Sequence, residues 1–389
     1  MSEIALKYGC NPNQSNARVL FDGEMPLKVL NGKPSYINIL DCLAAWQVAR
    51  ELRVATGLPG AASFKHVSPA GAGVGKPLSD ALREVYMVGD TELTPLATAY
   101  ARARGGDRLC SFGDAIGVSD VVDVCTAKLI KPEVSDAIIA PGYEPEALEI
   151  LKQKKKGGYV IFEIDPNYEP APLEYRDCFG LRLEQDRNDL QVTPELLQNV
   201  VTQRNDLNDE ARMNLLIATI ALKYTQSNSV AIAYDGQIVG IGAGQQSRVH
   251  CVRLACSKVD KWILQQHPRV RELQFIGSPG RPEKINIIDQ FLLWDELSDS
   301  ERDELNSKLA EPAKPLTPRQ RRDWLDTFKG LALSSDAFFP FRDNIDRASR
   351  SGIQFLMQAG GSVRDDLVLE AANQYGMTMI LTKTRWFLH

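Results

Sequence analysis

Apolar residues recur at helical spacing over residues 39–52, where Leu40, Leu43, Ala44, Val48 and Leu52 fall near one stripe. The spacing predicts an amphipathic helix, closed by the breaker Gly57-Leu58-Pro59-Gly60 and followed by a short strand ending at Lys65-His66. The same plan returns at 209–223. There Met213, Leu216, Ile217, Ile220 and Ala221 form the stripe, and Asn208 or Asp209 can cap its start. Residues 229–234 then read as a strand, and Asp235-Gly236 predicts a hairpin turn into 237–241. Each half therefore runs helix, then strand, with polar residues at the strand boundary. This predicts an α/β protein with a duplicated unit, although the halves share little residue identity. The expected division is a first unit over 1–165, a polar connecting segment over 166–205 with Pro166, Pro170 and Pro172, and a second unit over 206–389. A charged stretch at 295–328 is expected to be a helical insertion.

Composition narrows the class. With 389 residues there is room for two domains, and 44% hydrophobic with 24% charged residues describes a soluble globular chain. No apolar run approaches the roughly 20 residues that span a bilayer, and the first residues lack the plan of a signal peptide. The net charge of −5 offers no basic footprint for nucleic acid. The seven cysteines are odd in number and without metal or redox spacing, so reduced, mostly buried thiols in a cytoplasm are expected.

Chemistry concentrates at Ser63-Phe64-Lys65-His66-Val67-Ser68-Pro69-Ala70-Gly71. On a regular strand, Lys65 and His66 point to opposite faces. A bend made by Pro69-Ala70-Gly71 is expected to bring both into one cleft, where a lysine acid and a histidine base can move two protons. A second candidate is the small-residue run from Gly240 to Arg248, which precedes a helical stretch at 249–264 and could admit an anion to main-chain amides. It fits neither a dinucleotide fingerprint nor a Walker loop. A third runs from Ser334 to Asn344: its three phenylalanines could stack a heterocycle beside polar groups. The ending Thr384-Arg385-Trp386-Phe387-Leu388-His389 is apolar enough to be docked rather than frayed. His66 lacks the glutamate of zinc deaminases, and His250, His267 and His389 have no ligand spacing, so no catalytic metal is expected.

These segments, together with Lys7-Tyr8-Gly9-Cys10-Asn11-Pro12, Tyr36-Ile37-Asn38, Ser111-Phe112-Gly113-Asp114, Val134-Ser135-Asp136 and Ile285-Asn286, carry a resemblance that runs essentially end to end. The chain resembles the formyltransferase portion of the bifunctional purine-biosynthesis enzyme family, 5-aminoimidazole-4-carboxamide ribonucleotide (AICAR) transformylase. The resemblance implies two cytidine-deaminase-like α/β units and a homodimer with active sites at the subunit interface. It implies catalytic roles for Lys65, His66 and Asn228. Lys7, Tyr8, Ile37, Asn38, Gly113, Asp136, Arg248, Asn286, Phe338, Arg385 and Phe387 fall on nucleotide-binding positions. Phe112, Val249, Asp343, Ser362 and Val363 fall near the folate, 10-formyltetrahydrofolate being the co-substrate. A structural potassium ion is also implied.

Two positions depart from the family. Lys7 stands where arginine is usual, which replaces a bidentate phosphate contact by a point charge. Asn13 stands where histidine is common. The chain begins almost directly at the transformylase motif, so formyl transfer without cyclohydrolase activity is expected. A non-catalytic purine-nucleotide binding protein is the alternative.

Overall fold

The computed structural model describes residues 2–389. The chain opens with β1 (Ser2–Ala5), β2 (Arg18–Phe21) and β3 (Leu27–Asn31). Next come α1 (Tyr36–Thr56), the hairpin β4 (Gly60–Lys65) and β5 (Ser68–Val74), α2 (Asp80–Val85) and α3 (Pro95–Gly105). Then β6 (Asp114–Val118), α4 (Val124–Ile130), β7 (Ser135–Ala140), α5 (Pro145–Lys152) and β8 (Val160–Ile164) alternate. A solvent-exposed ribbon of β9 (Leu173–Cys178) and β10 (Leu181–Asp186) occupies the expected connection. The chain resumes with α6 (Asp209–Lys223), the hairpin β11 (Val230–Tyr234) and β12 (Gln237–Gly242), and α7 (Arg248–Leu264). The short helices α8 (Pro268–Arg271), α9 (Arg281–Leu292), α10 (Asp299–Ser307) and α11 (Pro318–Leu325) precede β13 (Leu331–Ser335), α12 (Asp343–Arg350), β14 (Ile353–Gln358), α13 (Asp365–Gln374) and β15 (Thr378–Leu381).

Among the described residues, eleven strands form one mixed sheet in the order β15-β14-β13-β11-β12-β5-β4-β6-β7-β8-β3. Its two halves have the same plan. In one, β4 is antiparallel to β5 and β6, and β6, β7 and β8 are parallel. In the other, β11 is antiparallel to β12 and β13, and β13, β14 and β15 are parallel. The halves join antiparallel at β5 and β12, where Gly73 pairs with Gln237. Alternate residues of each strand enter opposite layers. Ala231 and Ala233 pack with Leu52 of α1 and Leu215 of α6, whereas Val230 and Ile232 pack with Val252 and Val259 of α7. Two of the hydrophobic clusters therefore draw on both halves.

Helix α1 begins three residues before the expected start. Ser35 and Asn38 form a reciprocal capping box there, which satisfies amides that an apolar stripe does not reveal. The other end falls at Gly57, which takes a left-handed conformation. Gly240 and Gly242 do not form an anion loop. Both lie inside β12, where a Cβ would meet Ala255 O at 2.4 Å and Cys251 O at 2.1 Å. Their smallness lets α7 lie directly on the strand.

Candidate active site

The bend at the lysine–histidine pair is not made by Pro69-Ala70-Gly71, which lie within β5. It is a two-residue hairpin turn: Lys65 pairs with Ser68, and His66 and Val67 both have φ of 55°. Such turns need left-handed backbone at both central residues. Without glycine this costs about 1–2 kcal/mol per residue. A compensating contact comes from α1, where Asp41 Oδ1 accepts a hydrogen bond from Val67 N at 2.6 Å. Asp41 is 6% exposed. Burial pushes its carboxyl above the usual value, against the pull of the Val67 and His66 amides. The turn leaves the His66 side chain exposed and, among the described residues, without a hydrogen bond.

Lys65 ends β4 half-buried, and its Nζ donates to Phe112 O at 2.6 Å. The Phe112-Gly113 turn is itself held, since Gly113 N donates to Val134 O at 2.9 Å. Beneath it lies a buried polar chain. Ser63 Oγ donates to Asp114 Oδ2 at 2.6 Å, Arg104 donates to Asp114 at 2.7 Å and to Val134 O at 3.1 Å, and Arg104 also reaches Glu133 at 3.1 Å. Arg108 and Arg281 complete the set on Glu133 at 3.2 and 2.6 Å. Burial alone would raise the Glu133 carboxyl, but Arg108, Arg104 and Arg281 hold it below the ordinary glutamate value. Arg281 opens α9, the helix that bears the exposed Asn286, so this carboxylate anchors that helix to the first half.

The nucleotide-type positions of the first half gather around the start of α1. Lys7 N donates to Pro34 O at 3.0 Å, and Tyr36 N donates to Tyr8 O at 3.2 Å, which lays the Lys7-Tyr8 segment beside Ile37 and Asn38. The exposed Lys7 ammonium lies 5.7 Å from the centre of the Tyr8 ring. Asn38 Oδ1 is engaged by Ser35 in the capping box. Asp136 forms an ion pair with Lys155, and Gly113 has open space where a Cβ would stand.

In the second half, Asn228 donates to Gln245 O at 3.0 Å and accepts from Arg248 at 2.7 Å. Arg248 is buried at the start of α7 and also pairs with Asp336, which follows β13. The terminal segment is docked: Trp386 is 1% exposed, its N donates to Asp336 O at 2.8 Å, and Ser227 N donates to Leu388 O at 3.0 Å. Arg385 lies over the Phe387 ring at 4.5 Å. Of the three phenylalanines, Phe339 is core, whereas Phe338 and Phe341 are exposed. Asp343 starts α12, exposed Val363 and half-buried Ser362 lie in the loop after β14, and Val249 is half-buried in α7.

Topology places these groups on one edge of the sheet. That edge carries the β4–β5 turn, the start of α1 and the loops entering β6 and β7. It also carries the start of β11 and the loops leaving β12, β13, β14 and β15. No hydrogen bond among the described residues joins Lys65 or His66 to Asn228 or Arg248. From β13 to β7 there are six interstrand steps, about 29 Å along the sheet.

A protein-family model described as AICARFT/IMPCHase bienzyme matches residues 1–258. The chain belongs to the AICARFT/IMPCHase bienzyme family. It is similar to the bifunctional purine biosynthesis protein PurH of Roseobacter denitrificans, with 30% identity over 99% of this chain and 59% of that protein. PurH of Magnetococcus marinus is 31% identical and PurH of Cereibacter sphaeroides 30%, each with the same coverage. The chain thus spans 59% of the length of these curated relatives of the AICARFT/IMPCHase family.

Sequence reasoning missed Asp41 and Lys155, and it gave no role to Asp114 and Asp336, which lie in segments it quoted. Each acts through a partner distant in the chain, and no spacing rule exposes such pairs. The cysteines are also less hidden than expected: all seven are free, but only Cys42, Cys251 and Cys256 are buried. Among the described residues, no cluster of three His, Cys, Asp or Glu groups could hold a metal ion, and no helix is long and apolar enough to cross a membrane.

Proposed function

We propose that this chain transfers the formyl group of 10-formyltetrahydrofolate to the 5-amino group of AICAR, giving formyl-AICAR and tetrahydrofolate. The observation that carries the reading is the β4–β5 turn, which sets an uncommitted imidazole next to a lysine held at Phe112 O, in a chain of this family. The acceptor amine is conjugated to the imidazole ring and its carboxamide, so its lone pair is a weak nucleophile. His66 removes its proton as nitrogen attacks the formyl carbon, a task suited to an imidazole. Lys65 stabilises the oxyanion of the tetrahedral intermediate or protonates N10 of the departing folate. Asn228 orients the carboxamide and amine.

The remaining roles follow the residue matches. Lys7, Tyr8, Ile37, Asn38, Gly113, Asp136, Arg248, Asn286, Phe338, Arg385 and Phe387 bind the nucleotide. Phe112, Val249, Asp343, Ser362 and Val363 line the folate site. These positions are spread too far along the sheet edge for one mononucleotide to touch all of them within a chain. That spread supports a homodimer in which two copies complete each site. The bare β9–β10 ribbon supports it too. Leu173, Tyr175, Phe179, Leu181 and Leu183 are exposed on it, and a two-stranded hairpin is only marginally stable alone.

The repeated strand plan supports two cytidine-deaminase-like units divided as the sequence suggests, with the 295–328 helices as an insertion. A structural potassium ion, implied by the resemblance, is proposed without a site at Ser229, where Ser229 O accepts from Asp336 N and the Asp336 carboxylate is paired with Arg248. A higher melting temperature in potassium than in choline chloride is the expected sign. A cytoplasmic location fits the seven free thiols.

The deciding experiment is a spectrophotometric assay with AICAR and 10-formyltetrahydrofolate that follows tetrahydrofolate release. Formyl-AICAR is the expected product. AICAR binding without any formyl transfer would favour the non-catalytic alternative.

A further inference from the structure

We infer that Asp41 is the positioning residue of His66: its carboxylate grips the left-handed His66-Val67 turn and so sets where the imidazole stands. The inference rests on the proposed role of His66, and the observations behind it are independent of that role. The turn contains two consecutive non-glycine residues with φ of 55°, one of them a β-branched valine. Valine disfavours this conformation strongly, so the turn needs an external hold. Asp41 Oδ1 supplies one at 2.6 Å from Val67 N, a charge-assisted distance. Successive left-handed residues turn neighbouring amides toward one concave side, an arrangement that binds anions. Here the anion is part of the protein.

The placement of Asp41 also couples this turn to the substrate side of α1. Asp41 lies three residues after Asn38 and four after Ile37, so all three share one helix face. The helix start is locked by the Ser35–Asn38 capping box. The carboxylate therefore ties a fixed helix to a turn that its own strands close through the Lys65–Ser68 pair. Lys65, by contrast, is steadied from β6 and its preceding loop through Phe112 O. The acid and the base thus have separate supports, and removing one leaves the other in place.

The test uses the full chain and four proteins besides wild type: Asp41→Ala, Asp41→Asn, His66→Ala and the Asp41→Ala/His66→Ala pair. Asp41→Ala is expected to lower kcat by at least about 10-fold, since small misplacements of a reacting group are costly, with KM for AICAR changed less than about 3-fold. Asp41→Asn keeps an oxygen acceptor and should recover to within about 3-fold of wild type. The double variant should turn over no more slowly than His66→Ala alone, because a residue acting only through His66 has nothing left to position. Losses that multiply in the double variant, or a raised KM with unchanged kcat, would overturn the assignment. Hydrogen exchange at the Val67 amide gives a readout free of the reaction. Wild-type protein should protect this amide, and Asp41→Ala should release it. A Val67 amide that exchanges freely in wild type overturns the inference even if Asp41→Ala does not fold. If wild type transfers no formyl group, the reading of the site fails, while the Val67 amide still decides whether Asp41 holds the turn.

Discussion

Arg248 donates to the side-chain oxygen of Asn228 at 2.7 Å while the same guanidinium is paired with the wholly buried Asp336. The orientation of the proposed amine-binding asparagine therefore depends on an ion pair between the start of α7 and the end of β13. Arg248→Met leaves Asp336 buried without its partner, and breaking such a pair costs about 3–5 kcal/mol. Urea unfolding should show that loss. An unchanged midpoint and slope would mean that Asp336 finds another partner.

His66→Ala should reduce turnover by at least about 10²-fold, the lower range for loss of a general base. Binding of AICAR, followed by calorimetry, should survive, because the side chain makes no hydrogen bond that holds the surrounding structure. Near-normal turnover would remove His66 from the base role.

Lys154 gives a pH signature. Its ammonium is buried and donates to Ile130 O, Lys131 O and Glu133 O at 3.0, 3.1 and 2.7 Å, and burial pushes its pKa down to about 8. The folded value lies below the unfolded one, so below pH 8 the cost of burying the charge is fully present. It is relieved as pH rises from about 8 to the ordinary lysine value near 10.4, which should add up to about 3 kcal/mol of stability across that window. Comparison with Lys154→Met in denaturant titrations isolates the contribution. A stability difference between the two proteins that is flat from pH 7 to 10.5 contradicts it.

Gly242→Ala should push α7 off β12, because the new Cβ would stand 2.1 Å from Cys251 O. Overpacking of this kind costs about 1–3 kcal/mol. The melting temperature should fall, and turnover should fall with it, since Arg248 and the Asn228 contact to Gln245 O lie just beyond. Gly142→Ala, where the backbone is not left-handed and a Cβ would meet only Val121 side-chain atoms at 3.5 and 3.9 Å, is the control for a substitution that merely removes a glycine.

In the proposed homodimer the ribbon is the most sensitive element. Tyr175→Glu with Leu183→Glu places charges on two exposed apolar positions of β9 and β10. Light scattering should then report monomer and the assay little formyl transfer. A dimer of unaltered activity would place the subunit contact elsewhere.

Much of the plan was legible because it rests on local physics. The stripe in α6, the Asp235-Gly236 turn and the docked Trp386 each follow from periodicity, turn chemistry or an apolar ending. The bend after Lys65 was located wrongly because Pro69 and Gly71 are ordinary turn residues, while His66 and Val67 are poor ones. Asp41, some 25 positions earlier, meets that left-handed backbone, and no local pattern foretells the contact. Gly240 and Gly242 misled for a related reason. A small residue admits either an anion or a helix, and only the position of α7 chooses between them.

Local pattern, acting over a few residues, determined the repeated helix-and-strand units and marked Lys65-His66 as the candidate chemical centre. Tertiary structure alone decided which carboxylate meets which turn, how β5 and β12 join the halves, and that the candidate functional loops share one edge. Those outcomes depend on burial and pairing between segments far apart in the chain, where the free energy of a contact is set by what surrounds it rather than by what precedes it.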